Sequence, residues 1–85
     1  MANVEIYSSQ LCGYCHAAKR LLNEKGVDFL EIPVDMDVEA RATMRDRAGG
    51  RNSVPQIFID GQHVGGCDEL YSLEYQGELD ALLAG

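Results

Sequence analysis

The feature that most restricts the fold is the dipeptide Asp60-Gly61, set between two short runs, Gln56 to Ile59 and Gln62 to Gly65. Such a pair readily takes the positive φ values of a two-residue turn, so the runs are predicted to fold back on one another as an antiparallel hairpin. The rest of the chain supplies what covers it. Val4 to Tyr7 reads as a strand and Ser8 to Leu11 as a loop, after which Tyr14, Ala18, Leu21 and Leu22 recur at helical spacing until Gly26. Leu30, Ile32 and Val34 alternate within Asp28 to Val34, which predicts a second strand. Pro33 lacks an amide donor and confines that strand to a sheet edge. Strands joined through a helix run parallel.

Asp37 to Ala48 carries the pairs Val38/Ala42 and Ala40/Met44/Ala48, which predict another helix, capped by Asp37 and stopped by Gly49-Gly50. After the hairpin, Asp68 to Tyr75 with Leu70 and Leu73, and Glu78 to Ala84 with Leu79, Leu82 and Leu83, form one or two short helices. The order βαβαββα makes this an α/β chain with one mixed sheet and helices packed on it. A length of 85 residues is that of one domain, spanning 1–85.

Seven basic and fourteen acidic side chains give a net charge of −7, which opposes binding to nucleic acid or to an anionic membrane surface. No run approaches the roughly 18 apolar residues of a membrane helix. The three cysteines are an odd number and follow no N-terminal apolar run, so a secreted disulfide scaffold is disfavoured and a cytoplasmic location is expected.

Cys12-Gly13-Tyr14-Cys15 lies where a loop enters a helix. Unpaired amides and the positive end of the helix dipole favour a thiolate at Cys12, which predicts a nucleophile there and a resolving thiol at Cys15, one turn deeper. Lys19 and Arg20 add positive charge nearby. Zinc would need a second pair of ligands, and only Cys67, His16 and His63 remain, with no second C-x-x-C or H-x₃₋₅-H spacing among them. Cys12 to His16 also satisfies the c-type haem attachment spacing, but the strand signals and the absent export signal disfavour haem. A cysteine hydrolase would require His63 as its base, and its place on the second hairpin strand gives no reason to expect that contact.

The segments Val4-Glu5-Ile6-Tyr7, Cys12-Gly13-Tyr14-Cys15, Ser53-Val54-Pro55-Gln56-Ile57-Phe58-Ile59-Asp60 and Gly65-Gly66-Cys67-Asp68, followed by a leucine-rich end, occur in an order that resembles the glutaredoxin family, above all its small bacterial dithiol members. The resemblance covers nearly the whole chain. It implies the thioredoxin fold, a four-stranded mixed sheet with helices on both faces, and glutathione as electron donor and co-substrate. Cys12 would be the nucleophile and Cys15 the second thiol. Tyr14 would flank the bound tripeptide. Ser53-Val54-Pro55 would be the family's T-V-P segment, with Pro55 cis and the Val54 backbone pairing with the ligand as an added strand. Gly66, Cys67 and Asp68 would receive the γ-glutamyl end. Glycine allows close approach there, a helix start near Cys67 offers amides to a carboxylate, and Asp68 would meet the ammonium while also serving as an N-cap. The Cys67 sulfur is expected to be packed away.

Two departures stand out. The loop Ser8-Ser9-Gln10-Leu11 lacks the lysine that many relatives carry before the first cysteine, and Arg41 is the first substitute, with Arg45 and Arg51 next. Gly13 stands where dithiol members most often have proline. Within the family, small residues there accompany a [2Fe–2S] cluster held between two subunits by the first cysteine and glutathione, which would make Cys12 a ligand in a homodimer. The expected activity is reduction of glutathionylated mixed disulfides and protein disulfides by a monomer, with the cluster-bridged homodimer as the alternative.

Overall fold

Eight elements follow one another in a computed structural model that describes residues 2–85. They are β1 (Val4–Ser8), α1 (Gly13–Glu24), β2 (Leu30–Pro33), α2 (Val38–Arg47), β3 (Gln56–Ile59), β4 (Gln62–Gly65), α3 (Cys67–Tyr75) and α4 (Leu79–Ala84). The strands form one sheet in the order β2-β1-β3-β4. β1 pairs parallel with β2 and antiparallel with β3, and β3 turns back into β4. The turn has φ 52° at Asp60 and 79° at Gly61, the left-handed values that the Asp-Gly pair predicts. β2 lies at the edge, where the missing amide of Pro33 leaves no ladder bond unmade.

Alternation along the two central strands divides the core. Val4, Ile6, Ile57 and Ile59 face Ala18, Leu21 and Leu22 of α1, Leu70 of α3, and Leu79 and Leu83 of α4. Tyr7 and Phe58 face the other way and pack with Val34, Met44 and Ala48 beneath α2. Helices therefore cover both faces, which is the thioredoxin-type arrangement.

The edges of several elements differ from the sequence reading. β2 is shorter than Asp28 to Val34, and Leu30 is 58% exposed because it joins neither core cluster. Val38 is exposed at the first turn of α2, so Ala40, Met44 and Ala48 make the buried stripe and the Val38/Ala42 pair does not. The C-terminal region is two helices. Asp68 is not the N-cap of α3: Gly66 holds that position, and its amide donates to Glu69 Oε1 at 2.6 Å, leaving Asp68 inside the first turn.

α2 buries little apolar surface, and an ion pair supplements it. Arg47 donates to both Glu5 carboxylate oxygens at 2.9 and 3.0 Å and to the Tyr7 hydroxyl at 3.0 Å, with its guanidinium 4.0 Å from the centroid of the Phe58 ring. Hydrogen bonding to Arg47 holds the Glu5 carboxyl below its usual range against the opposing effect of partial burial. The helix is thereby pinned to the sheet through side chains of opposite polarity as well as through Met44.

Candidate functional site

Cys12 occupies the N-cap of α1, with extended backbone (φ −112°, ψ 109°), and its Sγ accepts a hydrogen bond from the Cys15 amide at 3.1 Å. A first-turn amide has no intrahelical partner, so a side chain at the cap is the acceptor it needs, and here that acceptor is sulfur. Sγ also lies 3.6 Å from the Val54 carbonyl oxygen, to which the thiol donates. Cys12 is half-buried, whereas Cys15 is fully buried and its thiol is pushed up to about 12, first by burial and next by the sulfur of Cys12. The two thiols thus meet unlike surroundings one helical turn apart. Both are free, as is the third, Cys67.

The loop leading to Cys12 is held by Asp35. Its carboxylate accepts from the Ser9 hydroxyl and, at 2.9 Å, from the Gln10 amide, and these bonds keep it ionised below its usual range. Lys19, midway along α1, is taken by Glu31 at 2.8 Å. His16 is exposed with Nε2 2.9 Å from the Gln10 carbonyl oxygen, and His63 bonds to Gln56, so both rings have partners other than a thiol. Among the described residues no three His, Cys, Asp or Glu side chains converge as a metal site.

A groove of about 230 Å³ lies above this helix start. Tyr14 projects into it from α1 and is 68% exposed. Ser53, Val54 and Pro55 form one wall, with a cis peptide between Val54 and Pro55. Gly66, Cys67 and Asp68, at the start of α3, form the other. The two walls approach closely at Gly66, where a Cβ would lie 3.2 Å from the Pro55 carbonyl oxygen. The Cys67 thiol is buried and raised by burial, then by the charge of Asp68.

Arg41 does not line this groove. It donates to the Asn52 carbonyl oxygen at 2.7 Å and to Asn52 Oδ1 at 3.3 Å, and Arg45 reaches the same Oδ1 at 3.3 Å. The cation that does line it is Arg51, 3.3 Å from Glu69 Oε1. Glu69, which belongs to none of the motifs above, lines the groove as well. The signal was present: glycine three residues before glutamate at a helix start is the spacing of a capping box, in which the carboxylate turns back to the N-cap amide. That amide and Arg51 hold the Glu69 carboxyl below its usual range.

The glutaredoxin family model matches residues 4–64. This chain belongs to the glutaredoxin family. It is 58% identical over 83 residues to Glutaredoxin 3 of Escherichia coli strain K12, a match covering 98% of this chain and 99% of that one. It is 52% identical over 84 residues to a glutaredoxin of Pseudomonas aeruginosa, covering 99% of each. Among solved structures, a buckwheat glutaredoxin–glutathione complex superposes with TM-score 0.88 at 29% identity, over 98% of this chain and 77% of the other. The glutaredoxin of Brucella melitensis superposes with TM-score 0.85 at 53% identity, over 98% and 89%. As a glutaredoxin, the chain is an oxidoreductase, and its sheet order and two-sided helical cover are those of its structural neighbours.

Proposed function

We propose that this glutaredoxin, acting as one domain over residues 1–85 in a reducing compartment such as the cytoplasm, removes glutathione from mixed disulfides and reduces protein disulfides. The observation that carries the reading is the asymmetry of the two thiols. Cys12 is accessible and receives an amide hydrogen bond, while Cys15 is buried with its proton held tightly. Cys12 sulfur, as thiolate, attacks the glutathione sulfur of a mixed disulfide. The bond between the two sulfurs of the substrate breaks, and the released substrate thiolate takes a proton from solvent. The enzyme then carries glutathione on Cys12. A second glutathione thiolate attacks that glutathione sulfur, frees Cys12 and leaves as oxidised glutathione, so one glutathione thiol is consumed for each substrate thiol released and one disulfide has been exchanged for another.

Protein disulfides take a second route, in which Cys12 joins the substrate and Cys15, losing its proton, attacks Cys12 to form an internal disulfide that two glutathione molecules later reduce. The tripeptide lies in the groove, a placement supported by the similarity to the buckwheat glutaredoxin, which was solved as a complex with glutathione. Tyr14 flanks it, Val54 pairs with its backbone, and the amides of Cys67 and Asp68 face its γ-glutamyl carboxylate while the Asp68 side chain meets its ammonium. Arg51 takes over from Arg41 as the cation of the site, since Arg51 is the one at the groove. The test is activity toward a glutathionylated peptide and toward a protein disulfide. Cys12→Ser loses both, and Cys15→Ser keeps the first and loses the second; the opposite pattern overturns the assignment.

A second reading follows from Gly13, where a Cβ would meet nothing within 4 Å, leaving open space beside Cys12. A [2Fe–2S] cluster between two copies would draw one thiolate, Cys12, from each chain and two from glutathione, and thiolate donors suit such a cluster. Protein isolated without oxygen in the presence of glutathione would then be a brown dimer; a colourless monomer removes this reading.

A further inference from the structure

Gln56, the first residue of β3, is fully buried on the face that α2 covers, and the chemistry proposed above makes no use of it. Its Nε2 donates to the Ser53 carbonyl oxygen at 3.0 Å and lies 3.3 Å from Ser53 Oγ. An amide nitrogen only donates and a carbonyl oxygen only accepts, so the bond to Ser53 fixes which way the Gln56 amide points. Its Oε1 then faces His63, whose Nε2 is 2.7 Å away. Because Oε1 only accepts, that ring nitrogen carries hydrogen, in the neutral ring as in the imidazolium.

His63 is itself held in place. The β3–β4 register sets it opposite Phe58, and the two rings lie 5.0 Å apart at 30°. A line of donors therefore runs from the outer edge strand, across the buried start of β3, to the loop that carries Val54. A wholly buried amide is costly unless its groups are all bonded, and an apolar residue would fill the same space without that requirement.

We infer that Gln56 is a positioning residue for the substrate-facing segment Ser53–Pro55, with His63 as its outer anchor, and that their hydrogen-bond chain fixes the height at which the Val54 backbone meets an extended ligand. This rests on the reading of Ser53–Pro55 as the ligand-facing wall. The chain acts on binding, since neither residue reaches the reacting sulfur.

Steady-state kinetics with a glutathionylated peptide tests it. Gln56→Met and His63→Phe, the latter keeping the ring stack while removing the donor, are expected to raise KM about fivefold to tenfold with kcat changed less than about twofold, the weight of one hydrogen bond left unmade. His63→Gln restores an N–H donor and is expected to stay within about twofold of the parent in KM. Leu79→Ala, at a buried core position of α4, lowers Tm without moving KM, which separates positioning from loss of stability. Nitrogen-15 spectra of the neutral His63 ring are expected to show the Nε2–H tautomer. KM values for Gln56→Met and His63→Phe within about twofold of an active parent, or an Nδ1–H tautomer, would overturn the positioning chain alone. Absence of any glutathione-dependent turnover in the parent would overturn both the chain and the function it serves.

Discussion

At the scale of single residues, two thiols of one motif are made different by where the helix begins. Cys12 stands outside the first turn and accepts an amide, while Cys15 is one turn on, inside the core. Iodoacetamide at pH 7 is therefore expected to alkylate Cys12 while Cys15 stays unmodified in the folded protein, since burial holds its proton. Mass spectrometry of the digested protein reads this directly, and equal labelling of both would contradict it. Spacing and the dipole argument made that asymmetry legible in the sequence. The choice among Arg41, Arg45 and Arg51 was not, because three surface arginines look alike until the backbone shows that two of them converge on Asn52 and the third reaches the groove.

Elements depend on their ends. Asp37 accepts from the Ala40 amide at 2.9 Å, and Asp37→Ala is expected to cost about 1 kcal/mol of unfolding free energy, measured by urea titration. That cap was readable from residue type alone. Gly65 is another matter: its φ is +121°, and a Cβ there would sit 2.5 Å from Glu69 Oε1 and 2.8 Å from Glu69 Cγ. Gly65→Ala must expel Glu69 from the Gly66 amide or distort the turn, with an expected cost of about 2 kcal/mol and weaker glutathione binding by calorimetry. Arg47→Met leaves Glu5 half-buried without its partner and is expected to destabilise by about 1 to 3 kcal/mol in the same titration. The Glu5–Arg47 pair is not visible in the local sequence, since the two are brought together only when α2 lies across the sheet, whereas Gly65 and Glu69 are neighbours at the start of α3.

The whole molecule should show a dome of stability against pH. Glu5, Glu31, Asp35 and Glu69 all have lowered pKa values in the fold, so their contribution is present above the unfolded carboxyl values, about 4, and is lost as pH falls through the folded ones. The pKa of His63 is lowered, chiefly by burial, which favours the neutral ring and adds a gentler loss as pH drops below about 6.5. On the alkaline side Cys15 and Lys25 are raised, so stability is expected to decline above about 8.5, where the unfolded thiol ionises first. Thermal melts across pH would check both limbs, and a midpoint still rising above about 9.5 would contradict the second. Local chemistry within the sequence determined the element order, the hairpin, the edge position of β2 and the place of the Cys12–Cys15 pair at a helix start. Turn propensity, periodicity, a missing amide and a helix start all act over a few residues. Tertiary structure alone decided which arginine lines the groove, that Arg47 pairs with Glu5, and that buried Gln56 links His63 to Ser53. Those contacts join residues from different elements or across a turn, and their partners are chosen only when the sheet and helices pack.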